Sequence, residues 1–197
     1  MIRLKNCKGH FFHRECLESQ LGSASHLQCS TCKVTYGIKI GDMAPCRMYW
    51  KKMSFTCDGE PAGTPTWEIE YASPKGIVPS NQVHHSGDFR RAYIPDNEEG
   101  REVLALLVKC FKRRLTLTIG FSQTRNRDNT IIWNGVHHKS HTSGGSANYG
   151  YPDGGYFTRV KQELMLKGIC FASEQEKDEM IDEVTTRVCM VQVGDVR

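Results

Sequence analysis

Long apolar runs are missing from this sequence of 197 residues, and with them any helix able to cross a bilayer, which needs roughly 20 apolar residues in succession. The opening stretch MIRLKNCKGH lacks the apolar core of a secretion signal, so no oxidising destination is expected and the thiols are expected to stay reduced. Charge of one sign is scarce as well. The 26 Lys and Arg face 22 Asp and Glu, for a net of +4, and the one basic run is Lys112-Arg113-Arg114. That balance is too thin for sequence-independent binding to nucleic acid, which rests on clustered cations, though a phosphate-bearing ligand stays within reach. Internal repeats and alternating βα units are absent too. What remains is a globular chain, 39% hydrophobic and 24% charged with a mean hydropathy of −0.49. Its length allows one medium domain, or a small one followed by a larger one.

Cysteine is plentiful, and unevenly placed. Cys7, Cys16, Cys29 and Cys32 crowd the first 32 residues together with His10 and His13. Cys46, Cys57, Cys110, Cys170 and Cys189 are dispersed singly and read for the most part as ordinary buried thiols. The stretch CKGHFFHREC sets four metal-ligand types at spacings of three. A short helix through Leu17 and Leu21, ended by Gly22, separates it from Cys29-Ser30-Thr31-Cys32. Two thiolates separated by two residues reach one tetrahedral ion without backbone strain, and imidazoles complete such a set. Six ligand-type residues at these spacings predict zinc, for one ion or for two; His26 is a weaker seventh candidate.

Beyond Tyr36 the composition shifts to Gly, Pro and aromatic residues mixed with strand-like runs. KVTYGIKIGD reads as the exit from the zinc module, and residues 43–66 as a loop-rich connection. WEIEYA alternates as a half-buried strand. A loop with Pro74, Pro79 and His84-His85 leads to RRAYIPDNEEGREVLALLVKCFKRRL, where Val103, Leu104, Leu106, Leu107, Cys110 and Phe111 recur at helical spacing. Asp96 or Asn97 caps that helix, acidic residues fill its first turn, and Lys112 to Arg114 close it in agreement with its dipole. LTLTIG and NTIIWN follow as strands around a polar turn, and a second helix runs from about Asp153 to Leu166 with Gly168 as its stop. The pattern is α+β. IIWNGVHHKSH and SANYGYPDGGY combine glycine with aromatic and imidazole rings, as a ligand pocket does where backbone approaches closely and rings stack. A self-packed aromatic surface loop has the same composition.

Taken in order, CSTCKVTYGIKIGD, AYIPDNEEGREVLALL, KRRLTLTIG, IIWNGVHHK and YGYPDGGYFTRVKQEL resemble the Deltex family of ubiquitin ligases, over roughly residues 7–169. The resemblance implies three parts: a partial RING-type zinc finger over 1–42, a mixed α+β Deltex C-terminal domain over 43–169, and a tail over 170–197 of no assigned structure, whose pattern allows a helix and a strand. It also implies how the first ligands divide. In the RING cross-brace Cys7, His10, Cys29 and Cys32 would hold one Zn2+, a complete site, while His13 and Cys16 would be half of a second. Only Met1 to Asn6 precede Cys7, so the partners of that half site are not in this sequence.

The implied function is that of a RING-type E3 ubiquitin-protein ligase. Its partners would be a ubiquitin-loaded E2 conjugating enzyme, ubiquitin itself and ADP-ribosylated proteins, with no membrane and no specific nucleic acid. The implied location is the cytoplasm or nucleus. The C-terminal domain would bind ADP-ribose or NAD. By position His137 matches the pocket histidine, Tyr149 the residue twelve further on and Glu163 the acidic residue of the following helix, while Ser122, Gln123 and Tyr151 line the pocket. His137 and Glu163 would be catalytic, a base and its carboxylate partner, because a ribose hydroxyl is a poor nucleophile at neutral pH. Trp133 and Asn134 are expected to serve packing and loop capping, and every pocket residue is expected after position 120. Two departures stand out: Ser30 replaces a proline frequent beside the seventh ligand, and Lys33 stands where many RING modules set a cation against ubiquitin. An ADP-ribose or NAD reader, or an adaptor, without ligase activity is the alternative.

Overall fold

The computed structural model of the chain describes residues 1–197 apart from 5–6, 8, 79–81, 123–125, 188 and 195–197. Near the N-terminus β1 (Ile2–Arg3) and β2 (Phe11–Phe12) pair antiparallel. Helix α1 (Arg14–Leu21) carries Glu15 in its first turn and stops at Gly22, whose φ of 48° suits a residue without a Cβ. Strands β3 (His26–Gln28) and β4 (Thr35–Gly37) then pair on either side of Cys29 and Cys32. This module is tied to the rest at α3 and at the end of α2. The Thr35 hydroxyl donates to the Leu166 carbonyl, and the Gly41 amide donates to the Arg113 carbonyl. A Cβ on Gly41 would lie 2.1 Å from the Arg114 carbonyl oxygen, so this approach requires glycine.

The larger part is built from β5 (Cys46–Met53), β6 (Thr66–Ser73), the short pair β7 (Gly76–Ile77) and β8 (His84–His85), then β9 (Asp88–Pro95). Helix α2 (Glu98–Lys112) and the hairpin of β10 (Leu117–Ser122) and β11 (Arg127–Trp133) follow. Helix α3 (Tyr156–Leu166), helix α4 (Glu174–Asp182) and β12 (Met190–Val193) complete it. Four strands form one antiparallel sheet in the order β12-β5-β6-β9. No described helix is long and apolar enough to cross a membrane.

The structure corrects the reading of residues 43–66 as loop. Cys46, Met48 and Trp50 are each 2% exposed or less and alternate with Arg47, Tyr49 and Lys51, the period of a strand with one face in the core. The loop within this stretch lies mainly at 54–65, with Gly59, Pro61, Gly63 and Pro65. A second strand, β9, was hidden in front of the long helix: Ala92 and Ile94 are buried in the core while Phe89 and Arg91 are exposed. The helix itself follows its sequence closely. Asn97, not Asp96, caps it, its side chain accepting from the Gly100 amide at 2.8 Å. Asp96 instead accepts from Trp67 and pairs with Lys52 and Arg101. All six apolar positions read from the periodicity are buried, each contributing about 1.5–3 kcal/mol where a full aliphatic or aromatic side chain leaves water.

The tail belongs to this core. Lys109 of α2 pairs with Glu176 of α4 at 2.5 Å, and the indole of Trp50 donates to the Val184 carbonyl at 2.7 Å. After a π-helical turn over Glu183–Arg187 the chain pairs with the edge of β5, from Met190 opposite Tyr49 to Val193 opposite Cys46.

Candidate functional site

Two sites emerge. In the first, the two ends of the N-terminal module converge: the turn before β2 supplies Cys7 and His10, and the loop between β3 and β4 supplies Cys29 and Cys32. All four ligand atoms lie within 4.8 Å of one another. Cys7 Sγ is 3.1 Å from His10 Nδ1, 3.4 Å from Cys29 Sγ and 3.5 Å from Cys32 Sγ. Four tetrahedral ligands at about 2.3 Å from one ion would stand a little under 4 Å apart, so small adjustments of these side chains accommodate a metal. Burial pushes the Cys7 thiol up to about 11, helped by its neighbours Cys29 and Cys32. Burial also raises Cys29, but the amide of Cys32, its thiol and the Thr31 amide outweigh that and bring it to about 6. Three thiols and an imidazole are a donor set consistent with zinc. His13, the residue before α1, and Cys16 on α1 are both exposed and stand outside this cluster. The Lys33 ammonium folds back onto the Ser30 carbonyl at 2.7 Å.

The second site is a cavity of about 600 Å3 in the larger part. One wall comes from the start of β9, with Phe89, Arg90 and Arg91, and another from the end of β10, with Phe121 and Ser122. Trp133 ends β11, and Gly135 to His138 with Ser140 and Tyr149 complete the rim. The contribution of β9 corrects the expectation that every pocket residue follows position 120. Arg90 was legible only to a reading that recognised DFRRAYIP as a strand. Its guanidinium pairs with Asp88, donates to the Ile131 carbonyl and lies over the Trp133 ring, 5.3 Å from its centroid.

Trp133 therefore does more than pack. It stacks on His138 with centroids 3.8 Å apart and planes within 7°. His138, a neighbour rather than a candidate in the sequence, is buried beneath it. Its Nδ1 faces the Val136 carbonyl at 2.9 Å and must carry the proton, which leaves Nε2 to accept from the Tyr71 hydroxyl at 2.9 Å. Burial lowers this imidazole to about 4. Because the folded state disfavours the proton, its contribution is full above the ordinary value of 6.5 and is lost as pH falls towards 4. His85, also lowered by burial, acts in the same direction. Urea titrations from pH 7 to pH 4 are expected to lose about 3 kcal/mol from His138, and His138→Gln is expected to flatten most of that slope.

The structure brings His137, Tyr149 and Glu163 together. Glu163, on α3 with its side chain 21% exposed, accepts from the His137 amide at 2.8 Å and meets its Nδ1 at 2.5 Å. The His137 ring is 68% exposed on the cavity rim. Tyr149 takes a left-handed conformation, and its carbonyl accepts from the Ser140 and His141 amides, which fixes it beside the histidine loop with its ring 60% exposed. The next residue must be glycine, since a Cβ on Gly150 would lie 1.8 Å from the Ser143 carbonyl oxygen. Ser122 reaches the cavity from β10. Tyr151 is not brought there: it is 3% exposed and its hydroxyl donates to the Tyr93 carbonyl. Gln123 lies outside the described residues. Asn134 caps as expected, donating to the Leu115 carbonyl.

Comparison with known proteins places this geometry in a family. The family model described as Deltex C-terminal domain matches residues 40–169. The chain is 37% identical over 180 residues to the human E3 ubiquitin-protein ligase DTX1, covering 87% of this chain and 29% of that protein. It is likewise 37% identical over 186 residues to the mouse E3 ubiquitin-protein ligase DTX4, covering 89% of this chain and 30% of that protein. To the human probable E3 ubiquitin-protein ligase DTX3 it is 48% identical over 105 residues, covering 51% of this chain and 30% of that protein. The chain thus spans under a third of the length of these relatives, yet the domain match alone takes in well over half of its own residues. With a four-ligand metal cluster ahead of that domain and a histidine–carboxylate pair on its cavity rim, the chain belongs to the Deltex family.

Proposed function

We propose that this chain is the part of a ubiquitin ligase that receives a ubiquitin-charged conjugating enzyme at a zinc module and presents ADP-ribose, free, within NAD or on a modified protein, as the acceptor. The carrying observation is the contact of Glu163 with both the amide and the Nδ1 of His137 at the edge of a nucleotide-sized cavity. The carboxylate fixes the tautomer with the proton on Nδ1, which leaves Nε2 as the base. His137 Nε2 takes the proton of a ribose hydroxyl. That oxygen forms a bond to the carbonyl carbon of the ubiquitin thioester, the carbon–sulfur bond breaks, and the conjugating enzyme leaves as its thiolate. The exposed Tyr149 ring offers a stacking face for adenine. Cys7, His10, Cys29 and Cys32 would hold the Zn2+, which sets the fold of the module that meets the conjugating enzyme.

Calorimetric titration with ADP-ribose is expected to give saturable binding. His137→Ala and Tyr149→Ala should each weaken it about tenfold, the loss of one stacking or hydrogen-bonding group, with the melting temperature unchanged because both rings are exposed. Parent-like binding by both variants would move the nucleotide elsewhere. The reader alternative draws on one observation: every described cavity residue lies at or beyond Phe89, so binding does not require the zinc module.

A further inference from the structure

Beside the cavity lies a charge cluster that neither the sequence pattern nor the proposed chemistry uses. Lys139, two residues after His137, has a side chain only 5% exposed, and its partner Asp153 is 6% exposed. A buried ammonium stays charged only where a partner replaces its water. Here its Nζ reaches Asp153 Oδ2 at 2.6 Å and lies 5.3 Å from the Tyr156 ring centroid. The same carboxylate takes the Arg159 fork at 2.5 and 3.2 Å, and the Gly155 amide at 3.3 Å just ahead of α3. Arg159, with burial opposing and Lys139 assisting, holds Asp153 at about 2.

The spacing along α3 gives this cluster a purpose. Tyr156, Arg159 and Glu163 stand three and four residues apart, on one face of the helix. All three act on the segment His137–Lys139. Tyr156 donates its hydroxyl to the His137 carbonyl, Arg159 reaches Lys139 through Asp153, and Glu163 holds the His137 amide and ring. From the other side the Tyr93 amide donates to the Lys139 carbonyl at 2.8 Å. The His137 ring itself is too exposed to be held by packing, so its register against Glu163 depends on these polar ties.

We infer that Lys139 and Asp153 are positioning residues, an ion pair that locks the His137 loop onto α3 so that Glu163 can hold both the amide and the ring of His137. The catalytic consequence rests on the function proposed above; the geometric consequence does not.

Amide hydrogen exchange followed by NMR on the full chain reads the geometry directly. In Lys139→Met the His137 amide should exchange about tenfold faster than in the parent, approaching its rate in Glu163→Ala, while the Leu104 and Leu107 amides of α2 keep their protection. Arg159→Gln, at a side chain 49% exposed, should fold and give a smaller rise of about threefold. If Lys139→Met unfolds, Arg159→Gln decides alone. Parent-like exchange at His137 in the folded variants would overturn the inference. In reconstituted ubiquitin transfer to ADP-ribose, Lys139→Met should lower kcat about tenfold with KM within about twofold, and should add nothing in a Glu163→Ala background. A parent inert toward ADP-ribose, with the exchange result as expected, would sink the functional reading and leave the clamp standing. Full kcat in Lys139→Met with a loosened His137 amide would confine the pair to structure and overturn its catalytic part.

Discussion

Stripping metal from the purified chain is expected to unfold residues 1–42 and to leave the larger domain folded. The module has little else to hold it: among its described residues, the buried apolar side chains besides the ligands Cys7 and Cys29 are Leu17 and Val34. Small modules of this kind draw about 10–16 kcal/mol of apparent folding energy from a structural zinc, so its loss exceeds anything two side chains contribute. The larger domain keeps its own core, in which Trp50, Ile69, Tyr71 and Ile94 of the sheet pack with Leu104, Leu107 and Phe111 of α2. Metal analysis after a chelator wash should find one tightly held ion per chain, and Cys29→Ala should lose it. NMR should then show disordered signals for the first module only, with ADP-ribose affinity kept. Two tight ions would bring His13 and Cys16 into a second site; none would refute the four-ligand assignment.

The second large effect is expected at Glu163. Its carboxylate sits 2.5 Å from His137 Nδ1 and also holds the His137 amide, so Glu163→Ala removes both the tautomer control and the loop anchor. Transfer of ubiquitin to ADP-ribose should fall by about 10²–10⁴, the range that a positioned acid–base pair supplies. Binding should change by less than about threefold, since the carboxylate faces the histidine rather than the cavity. Steady-state transfer rates set beside calorimetric affinities separate the two. A parallel loss of binding would make Glu163 a ligand contact instead of a partner of the base.

What the sequence disclosed follows the range of the interactions involved. The ligand-type pairs and α2 were legible because local spacing carries them, two residues within each pair and three or four between the apolar positions of the helix. The Asn97 cap was readable for the same reason. The grouping of Cys7, His10, Cys29 and Cys32 on one ion came instead from family resemblance. Strands β5 and β9 escaped because their alternation runs through Arg, Tyr and Lys, which look solvent-bound until a neighbouring strand covers them. The cavity was half visible. Its glycine- and aromatic-rich segments stood out, but the pairing of His137 with Glu163 came from family resemblance, and Arg90 enters from a strand whose sequence carries no pocket pattern. Tyr151 shows the opposite error. Adjacent to Tyr149 but for Gly150, it was expected beside the ligand, and the tight turn at that glycine sends it into the core.

The most direct test is a single-turnover discharge of a ubiquitin-charged conjugating enzyme by this chain, with and without ADP-ribose. The account predicts a new product with the mass of ubiquitin esterified to ADP-ribose, cleaved by hydroxylamine, formed by the parent and not by His137→Ala. Discharge that is indifferent to ADP-ribose, or a His137→Ala variant that makes the ester at the parent rate, would contradict it.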